Sequence, residues 1–241
     1  MNPGRVAAVS PARRCETIGL LRRRAGATRV TAEGVTIPSG ARDVREVYPD
    51  PLTTRQRWLL GLGALMLDPK HGSCARLHPA AVVHPERTAR EYRASLKSLW
   101  EIDDLSSLLR ALTSLLRVGH RGELVGALGH PPLAWDIARV AVLPRRAFAA
   151  GYIDESTAWE LMEAAADAPY RVYDSWGSYV RDNLAGRNAW AGRRHDWMDQ
   201  HVLRWWSPEM RDESPWQSVP WPAGRLPARP ETRAARTGGE R

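Results

Sequence analysis

Apolar residues recur at spacings of three and four from residue 52 onward, which is the pattern of amphipathic α-helices. The first predicted helix follows a cap at Thr53 or Thr54 and runs to Leu67, where an Asp-Pro pair stops it. Its apolar residues point in nearly every direction, so we expect this helix at the centre of the fold. No convincing strand interrupts the helical pattern after residue 52.

The next two predicted helices are amphipathic. One begins with Pro85, ends at Leu99 and should lie at the surface, because its basic residues share one face. The other is capped by Asp103 or Asp104 and ended by Gly119. Its apolar side chains form a single stripe of leucines: Leu105, Leu108, Leu109, Leu112, Leu115 and Leu116.

A further helix, predicted over residues 132–149, has apolar residues on two opposite faces and only a narrow polar stripe between them. At 100° per residue, Asp136 and Arg139 lie about 60° apart on that stripe. This pattern predicts a helix that is sandwiched between other helices, with one charged pair enclosed or at a groove. Pro144 is expected to kink or end the helix.

The remaining helices are predicted from their caps. Asp154 is expected to cap one helix, and Asp174 is expected to cap another over residues 175–191. After a last helix over residues 195–206, the segment SPWQSVPW (residues 214–221) should fold back and cover the core. The alternative is that its tryptophans form an exposed contact surface.

The two ends differ from this helical body in composition. Nine Arg and five acidic residues lie in residues 1–51, and five Arg and two acidic residues lie in residues 222–241, whereas all 11 Trp lie between them. The sequence therefore predicts an irregular basic N-terminal extension (1–51), a helical domain (52–221) and a disordered Arg/Pro-rich tail (222–241). One hairpin is predicted in the N-terminal extension, around Glu33 and Gly34. The predicted fold class is all-α: a single compact domain of about seven or eight helices with flexible basic extensions.

Charge and cysteine content narrow the functional classes. The net charge of +8 arises mainly at the two ends of the chain. Phosphate groups are bound by both Arg and Lys, but this chain has far more Arg than Lys, so its positive charge is only weak evidence for nucleic-acid binding. Two cysteines are too few for a disulfide framework, which favours a reducing compartment. The longest strongly apolar run is about half of the roughly 20 residues needed to span a bilayer, and no secretion signal follows the N-terminal arginines. We therefore predict a cytoplasmic protein without a membrane segment.

Several segments of the body share the order and spacing of one known family. They are TTRQRWLLGLGALM (53–66), LWEIDDLSSLLRALTSLLRVGH (99–120), GHRGEL (119–124), AWDIARV (134–140), AAGYIDESTAWEL (149–161), DSWGSYVRDNLAGRNAW (174–190) and SPWQSVPW (214–221). The chain resembles, over about residues 52–221, the bacterial family named domain of unknown function 1266. The matching positions are Trp135, Asp136, Arg139, Gly151, Tyr152, Trp159, Trp176, Gly186, Arg187 and Trp190. The resemblance implies no established activity, substrate or catalytic residue.

The strongest candidate site combines the two central helices. Asn183 and Arg187 lie within the apolar face of the helix over 175–191, so each needs a polar partner if it is buried. We expect Asp136 and Arg139 to meet them. Asp154 or Glu155 would close the network, and four tryptophans would surround it: Trp135, Trp159, Trp176 and Trp190. We favour a structural network that sets helix register, and the alternative is a ligand or catalytic pocket.

Other chemistry has weaker support. His71, Cys74, His78 and His84 could gather around zinc, but their spacing matches no established ligand pattern, so no metal or other cofactor is predicted. Asp154 and Glu155 are neighbours at a helix start, where capping is the expected role. The chain has no diagnostic nucleophile or phosphate-binding motif.

The preferred function is therefore a cytoplasmic, non-catalytic protein-interaction or regulatory module with a protein partner. One alternative is an enzyme with a polar pocket around Asp136, Arg139 and Arg187. A third hypothesis is non-specific nucleic-acid binding through the basic ends.

Overall fold

The computed structural model describes residues 28–30, 36–38, 42–43, 51–68, 70–192 and 196–222, with the backbone alone before residue 51 and at 196–199. The α-helices of this part are α1 (Thr54–Leu62), α2 (Pro85–Trp100), α3 (Leu105–Arg117), α4 (Val125–Leu128), α5 (Leu133–Ala150), α6 (Glu155–Glu163), α7 (Asp167–Val172), α8 (Trp176–Ala191), α9 (Asp196–Trp206) and α10 (Pro215–Ser218). Short 3-10 helices lie at Ala64–Met66, Arg121–Leu124 and Pro208–Met210. The all-α prediction is confirmed, and eight of the helices in the described residues exceed four residues.

Short strands form two pairs. β1 (Thr28–Val30) and β2 (Thr36–Pro38) are antiparallel, with Val30 opposite Thr36, which confirms the predicted hairpin. β3 (Arg42–Asp43) pairs with β4 (Val82–Val83), although no strand was predicted after residue 52. Two residues are too few to show an alternating pattern. The predictions for the rest of the N-terminal extension, and for the tail from residue 223, lie outside the described residues.

The centre of the fold is α5. α1, α2, α3, α6 and α8 all pack against it. Most of its side chains are buried on every side, as the two apolar faces predict. Pro144 lies inside α5 and does not end it, so that part of the prediction is wrong; the helix continues to Gly151, whose φ of 76° forms the C-cap. Burial against helices on all sides compensates for the backbone hydrogen bond that the proline cannot make.

Helix α1 is central but shorter than predicted. Thr53 forms a reciprocal capping box with Gln56, and the apolar residues of the helix are buried. The helix ends at Leu62 rather than Leu67, and a 3-10 turn follows Gly63. A Cβ at Gly63 would lie 3.5 Å from Ala141 of α5, so the chain turns where it packs closely on the central helix.

Other boundaries differ by one or two residues. Asp104 caps α3 and Asp154 caps α6, as predicted, whereas Ser175 rather than Asp174 caps α8. Helix α3 ends at Arg117, before Gly119. The predicted leucine stripe of α3 is only partly buried, because Leu105 and Leu109 are about 40% exposed.

The C-terminal segment folds back over the core, as predicted. Three indole N–H groups donate to backbone carbonyls: Trp216 to Gly61 (2.9 Å), Trp176 to Val219 (2.8 Å) and Trp221 to Tyr173 (2.9 Å). Trp216 is buried. These bonds hold the segment on α1 and α8 while its aromatic rings complete the core.

Among the described residues, no helix combines the length and the apolar character required to cross a bilayer.

Candidate functional site

The carboxylate of Asp136 is completely buried where the turn after α3 meets the start of α5. It accepts hydrogen bonds from the backbone N–H groups of His120 (3.0 Å) and Arg121 (3.2 Å). Two guanidinium groups complete the set: Arg121 donates at 2.9 Å and Arg139 at 3.0 Å. Four donors from the protein therefore surround this carboxylate, and we call this arrangement the Asp136 clamp.

The two arginines of the clamp have further roles. Arg121 also donates to the carbonyls of Leu115 and Leu116, so it closes the C-terminal end of α3. Arg139 lies over the Trp135 ring, with 3.5 Å between the guanidinium carbon and the ring centre. Asp136 thus joins α3 and α5 through cations that are themselves held in place.

Gly119 allows the turn after α3 to approach the Asp136 carboxylate closely. Its φ is 62°, and a Cβ at this position would lie 1.8 Å from Asp136 Oδ2. A side chain here would meet both a disfavoured backbone conformation and a direct clash. The segments GHRGEL and AWDIARV, which carry part of the family resemblance, are therefore two halves of one contact.

The imidazole ring of His120 lies beside the clamp without a hydrogen bond to the Asp136 carboxylate, although the backbone N–H of His120 is part of the clamp. Its Nδ1 is 3.9 Å from Asp136 Oδ1, beyond hydrogen-bonding distance. Burial and then the charge of Arg139 lower the pKa of His120 below 6.5. This histidine is therefore neutral near pH 7.

Asn183 does not hydrogen-bond to Asp136, so that part of the predicted contact is wrong, whereas the contact of Arg187 with the network stays a prediction. Asn183 donates to the Ala134 carbonyl at 2.9 Å, and its buried Oδ1 has no hydrogen-bond partner in the described structure. Arg187 is buried on the same helix, α8. The reason is the direction of the Asp136 side chain: it points to the turn after α3, whereas α8 packs on the backbone of Ala134 and on Trp135.

Asp154 and Glu155 do not close the network either. Asp154 accepts from Thr157 N at 2.8 Å, which lowers its pKa, and Glu155 accepts from Trp159 Nε1 at 3.1 Å. Both carboxylates lie at the exposed start of α6, which is the capping role expected for them.

The four predicted tryptophans belong to different clusters. Trp135 packs against Trp190, with ring centres 5.9 Å apart. Trp176 packs with Trp58 and Trp221 under the C-terminal segment. A common aromatic surround is therefore absent for these four residues.

A second carboxylate cluster at the start of α5 was not predicted. Asp182 of α8 accepts at Oδ2 from the Ala134 N–H (3.0 Å) and from the Tyr173 hydroxyl, and its Oδ1 lies 2.9 Å from His130 Nε2. The sequence does contain a signal for this cluster. Pro132 is the N-cap of α5 and has no side-chain acceptor, so the first backbone N–H groups of α5 need a hydrogen-bond acceptor from another part of the chain. We call this arrangement the Asp182 cluster.

Two of the four residues considered for zinc, Cys74 and His78, are used in other contacts. Burial raises the pKa of Cys74 to about 11, and its thiol lies 3.6 Å from the Leu60 carbonyl. Burial lowers the pKa of His78 to about 4, and its Nδ1 accepts from Ala80 N. In the parts of the chain that the structure describes, no three His, Cys, Asp or Glu side chains are placed to hold a metal ion.

Two surface cavities lie away from both carboxylates. One of about 410 Å³ runs along α2, and its lining residues are Pro85, Glu86, Ala89, Arg90 and Arg93. One of about 220 Å³ lies at the start of the body, and its lining residues are Pro51, Leu52, Arg57, Ala75, Arg76, Asp212 and Glu213. Neither opens on Asp136 or Arg187.

In a comparison with protein families, the family described as "Protein of unknown function (DUF1266)" matches residues 125–221. The resemblance is therefore confirmed over this range, which contains α4 to α10 and includes Asp136, Asp182 and the C-terminal tryptophans. Residues 52–124, including Gly119, lie outside the matched range. No curated protein and no solved structure matches the chain.

Proposed function

We propose that this chain is a cytoplasmic, non-catalytic protein-interaction or regulatory module. The observation that carries the proposal is the closed Asp136 clamp, at the position where the enzyme alternative needs an accessible acid or base. A general acid or base must lie within hydrogen-bonding reach of its substrate. Asp136 is completely buried and is surrounded by two backbone amides and two guanidinium groups of the protein.

The cytoplasmic location is supported by Cys74, which is a buried free thiol. A thiol that remains unpaired is typical of a reducing compartment.

The outer face of α3 is the surface that best fits a partner. Leu105 and Leu109 lie about 40° apart around the helix and are exposed, and Arg110 and Arg117 form the next stripe, about 80–100° from Leu109. An apolar stripe beside a basic stripe complements a segment that carries both apolar and acidic side chains. The partner we propose is a protein with such an acidic amphipathic segment.

The first experiment is a thermal-shift screen of the full-length protein against metabolites, nucleotides and metal ions. A small molecule at 100 times its Kd would add about 2.7 kcal/mol of stability, which such a screen detects. We expect no ligand to stabilise the protein. A stabilising metabolite whose effect disappears in Arg187→Ala would contradict the proposal and favour the enzyme alternative.

The second experiment tests the α3 surface with a purified partner. A protein recovered by crosslinking would be purified and titrated against wild type, Leu109→Glu and Leu203→Glu. Leu203 is the matched control, because it is an exposed leucine on α9 (67% exposed). We expect Leu109→Glu to weaken binding at least about tenfold and Leu203→Glu to leave it unchanged. Equal binding by all three proteins would show that α3 is not the interface.

A further inference from the structure

Asp182 connects three separate segments at the start of α5. Its Oδ2 accepts from the Ala134 N–H, in the first turn of α5, and from the hydroxyl of Tyr173, just before α8. Its Oδ1 faces His130 Nε2, in the turn between α4 and α5. Ala134 and Tyr173 therefore hold Asp182 in place whether or not His130 is bound to it.

Both nitrogens of the His130 ring face hydrogen-bond acceptors. Nε2 lies 2.9 Å from Asp182 Oδ1, and Nδ1 lies 3.2 Å from the Leu128 carbonyl, at the end of α4. A neutral imidazole has one N–H, whereas an imidazolium has two. The ring can donate to both acceptors only when it carries a proton on each nitrogen.

The charged surroundings of His130 are simple. Asp182 on α8 is the carboxylate that acts on the ring, and α4 contributes a carbonyl rather than a charge. Tyr173 bonds to Asp182, not to the ring. The Asp182 hydrogen bond, followed by the Leu128 carbonyl, raises the pKa of His130 above 6.5. His130 is half exposed, so protons exchange freely with solvent.

We propose that His130 is a proton-operated latch: its imidazolium holds the α4 end and the 129–132 turn on α8, and loss of one proton releases them. Above the pKa one ring nitrogen faces an acceptor without a proton, and that contact becomes repulsive. Asp182 keeps its bonds to Ala134 and Tyr173 in both states, so α5 and α8 stay together. The opening is thus confined to α4 and the turn, which include the exposed Val125.

Hydrogen exchange tests the latch in the full-length protein. Amide exchange of residues 126–130 would be measured between about pH 6 and pH 9 and corrected for its intrinsic pH dependence. We expect protection to fall with rising pH, tenfold for each pH unit between the pKa values of the open and the closed turn. Residues 140–150 of α5 provide the internal control, and their protection should not change.

Two variants separate the latch from general effects of pH. His130→Gln keeps an N–H donor for Asp182 but does not titrate, so protection of residues 126–130 should become independent of pH. His120→Gln is the control, because that histidine lies outside the Asp182 cluster, and it should behave as wild type. The same pH dependence in His130→Gln and in wild type would overturn the proposal.

An NMR titration of the His130 ring in the wild-type protein gives an answer even if a variant fails to fold. We expect the ring to titrate above 6.5 and to shift toward 6.5 in Asp182→Asn. A wild-type ring that titrates at or below 6.5 would also overturn the proposal.

Discussion

Asp136 and Asp182 both accept hydrogen bonds near the start of α5, but they differ in burial and in the type of side chain that binds them. Asp136 is enclosed, and its charged partners are the guanidinium groups of Arg121 and Arg139. Asp182 is partly exposed, and its partners are a tyrosine and a histidine. A buried carboxylate that is bound by arginines makes a contact that does not depend on pH. A carboxylate that is bound partly by a histidine makes a contact that changes with pH.

The largest effect should come from Asp136→Asn. The change keeps the size of the side chain but removes its charge, so the buried guanidinium group of Arg139 and the partly buried one of Arg121 lose their counter-ion. We expect a loss of about 3–5 kcal/mol in the free energy of unfolding, measured by chemical denaturation. A loss below about 1 kcal/mol would mean that the clamp contributes little to stability.

Gly119→Ala should break the same contact from the other side. The new Cβ would collide with the Asp136 carboxylate in a backbone conformation that already disfavours a side chain. Gly129→Ala is the matched control, since Gly129 has a similar φ of 74° with nothing within 4 Å of its added Cβ. We expect the control to lose about 1 kcal/mol in the free energy of unfolding and Gly119→Ala clearly more. Equal losses would show that only the backbone conformation matters.

Asp182→Asn should cost less than Asp136→Asn. The cluster loses charge-assisted hydrogen bonds, but solvent reaches it and can replace part of what is lost. We expect a decrease of about 1–2 kcal/mol in the free energy of unfolding by the same denaturation assay. If the two aspartate variants were equally unstable, burial would not be the difference between the two sites.

The smallest effect is the one that depends on pH. The folded pKa of His130 is raised, so its contribution to stability is complete below 6.5 and is lost as pH rises through that raised pKa. The Tm difference between wild type and His130→Gln should therefore shrink from about pH 6 to about pH 9. The deficit of Asp136→Asn should stay constant over the same range, because its side-chain partners are guanidinium groups, a class of group that stays protonated at these pH values. Parallel pH profiles for both variants would remove the distinction between the sites.

Much of the local structure could be predicted from the sequence. Asp104 and Asp154 cap the helices expected of them, and the two apolar faces around Asp136 predicted a helix packed on all sides. These features depend on residues within one or two helical turns. The errors at helix ends, such as Leu62 and Pro144, arise where contacts with distant helices outweigh the local preference.

The candidate site could be predicted only in part. Asp136 and Arg139 meet because they are three residues apart on one helix. Arg121 and Asp182 were missed, and Asn183 was assigned to Asp136 although it donates to the Ala134 carbonyl. The rotation of α3 and α8 about their axes relative to α5 decides which neighbour the Asp136 side chain faces. The periodicity of apolar residues within one helix does not predict that rotation.

The sequence by itself therefore determined the helices, most of their caps, the sandwiched position of α5 and the family resemblance. Only the tertiary structure decided that one aspartate is sealed by arginines while another faces a histidine at the surface. The physical reason is the separation along the chain. Helical hydrogen bonds and caps link residues within about four positions, whereas Arg121 and His120 lie 15 and 16 residues from Asp136, and His130 lies 52 residues from Asp182. Such partners meet only when packing brings distant segments together.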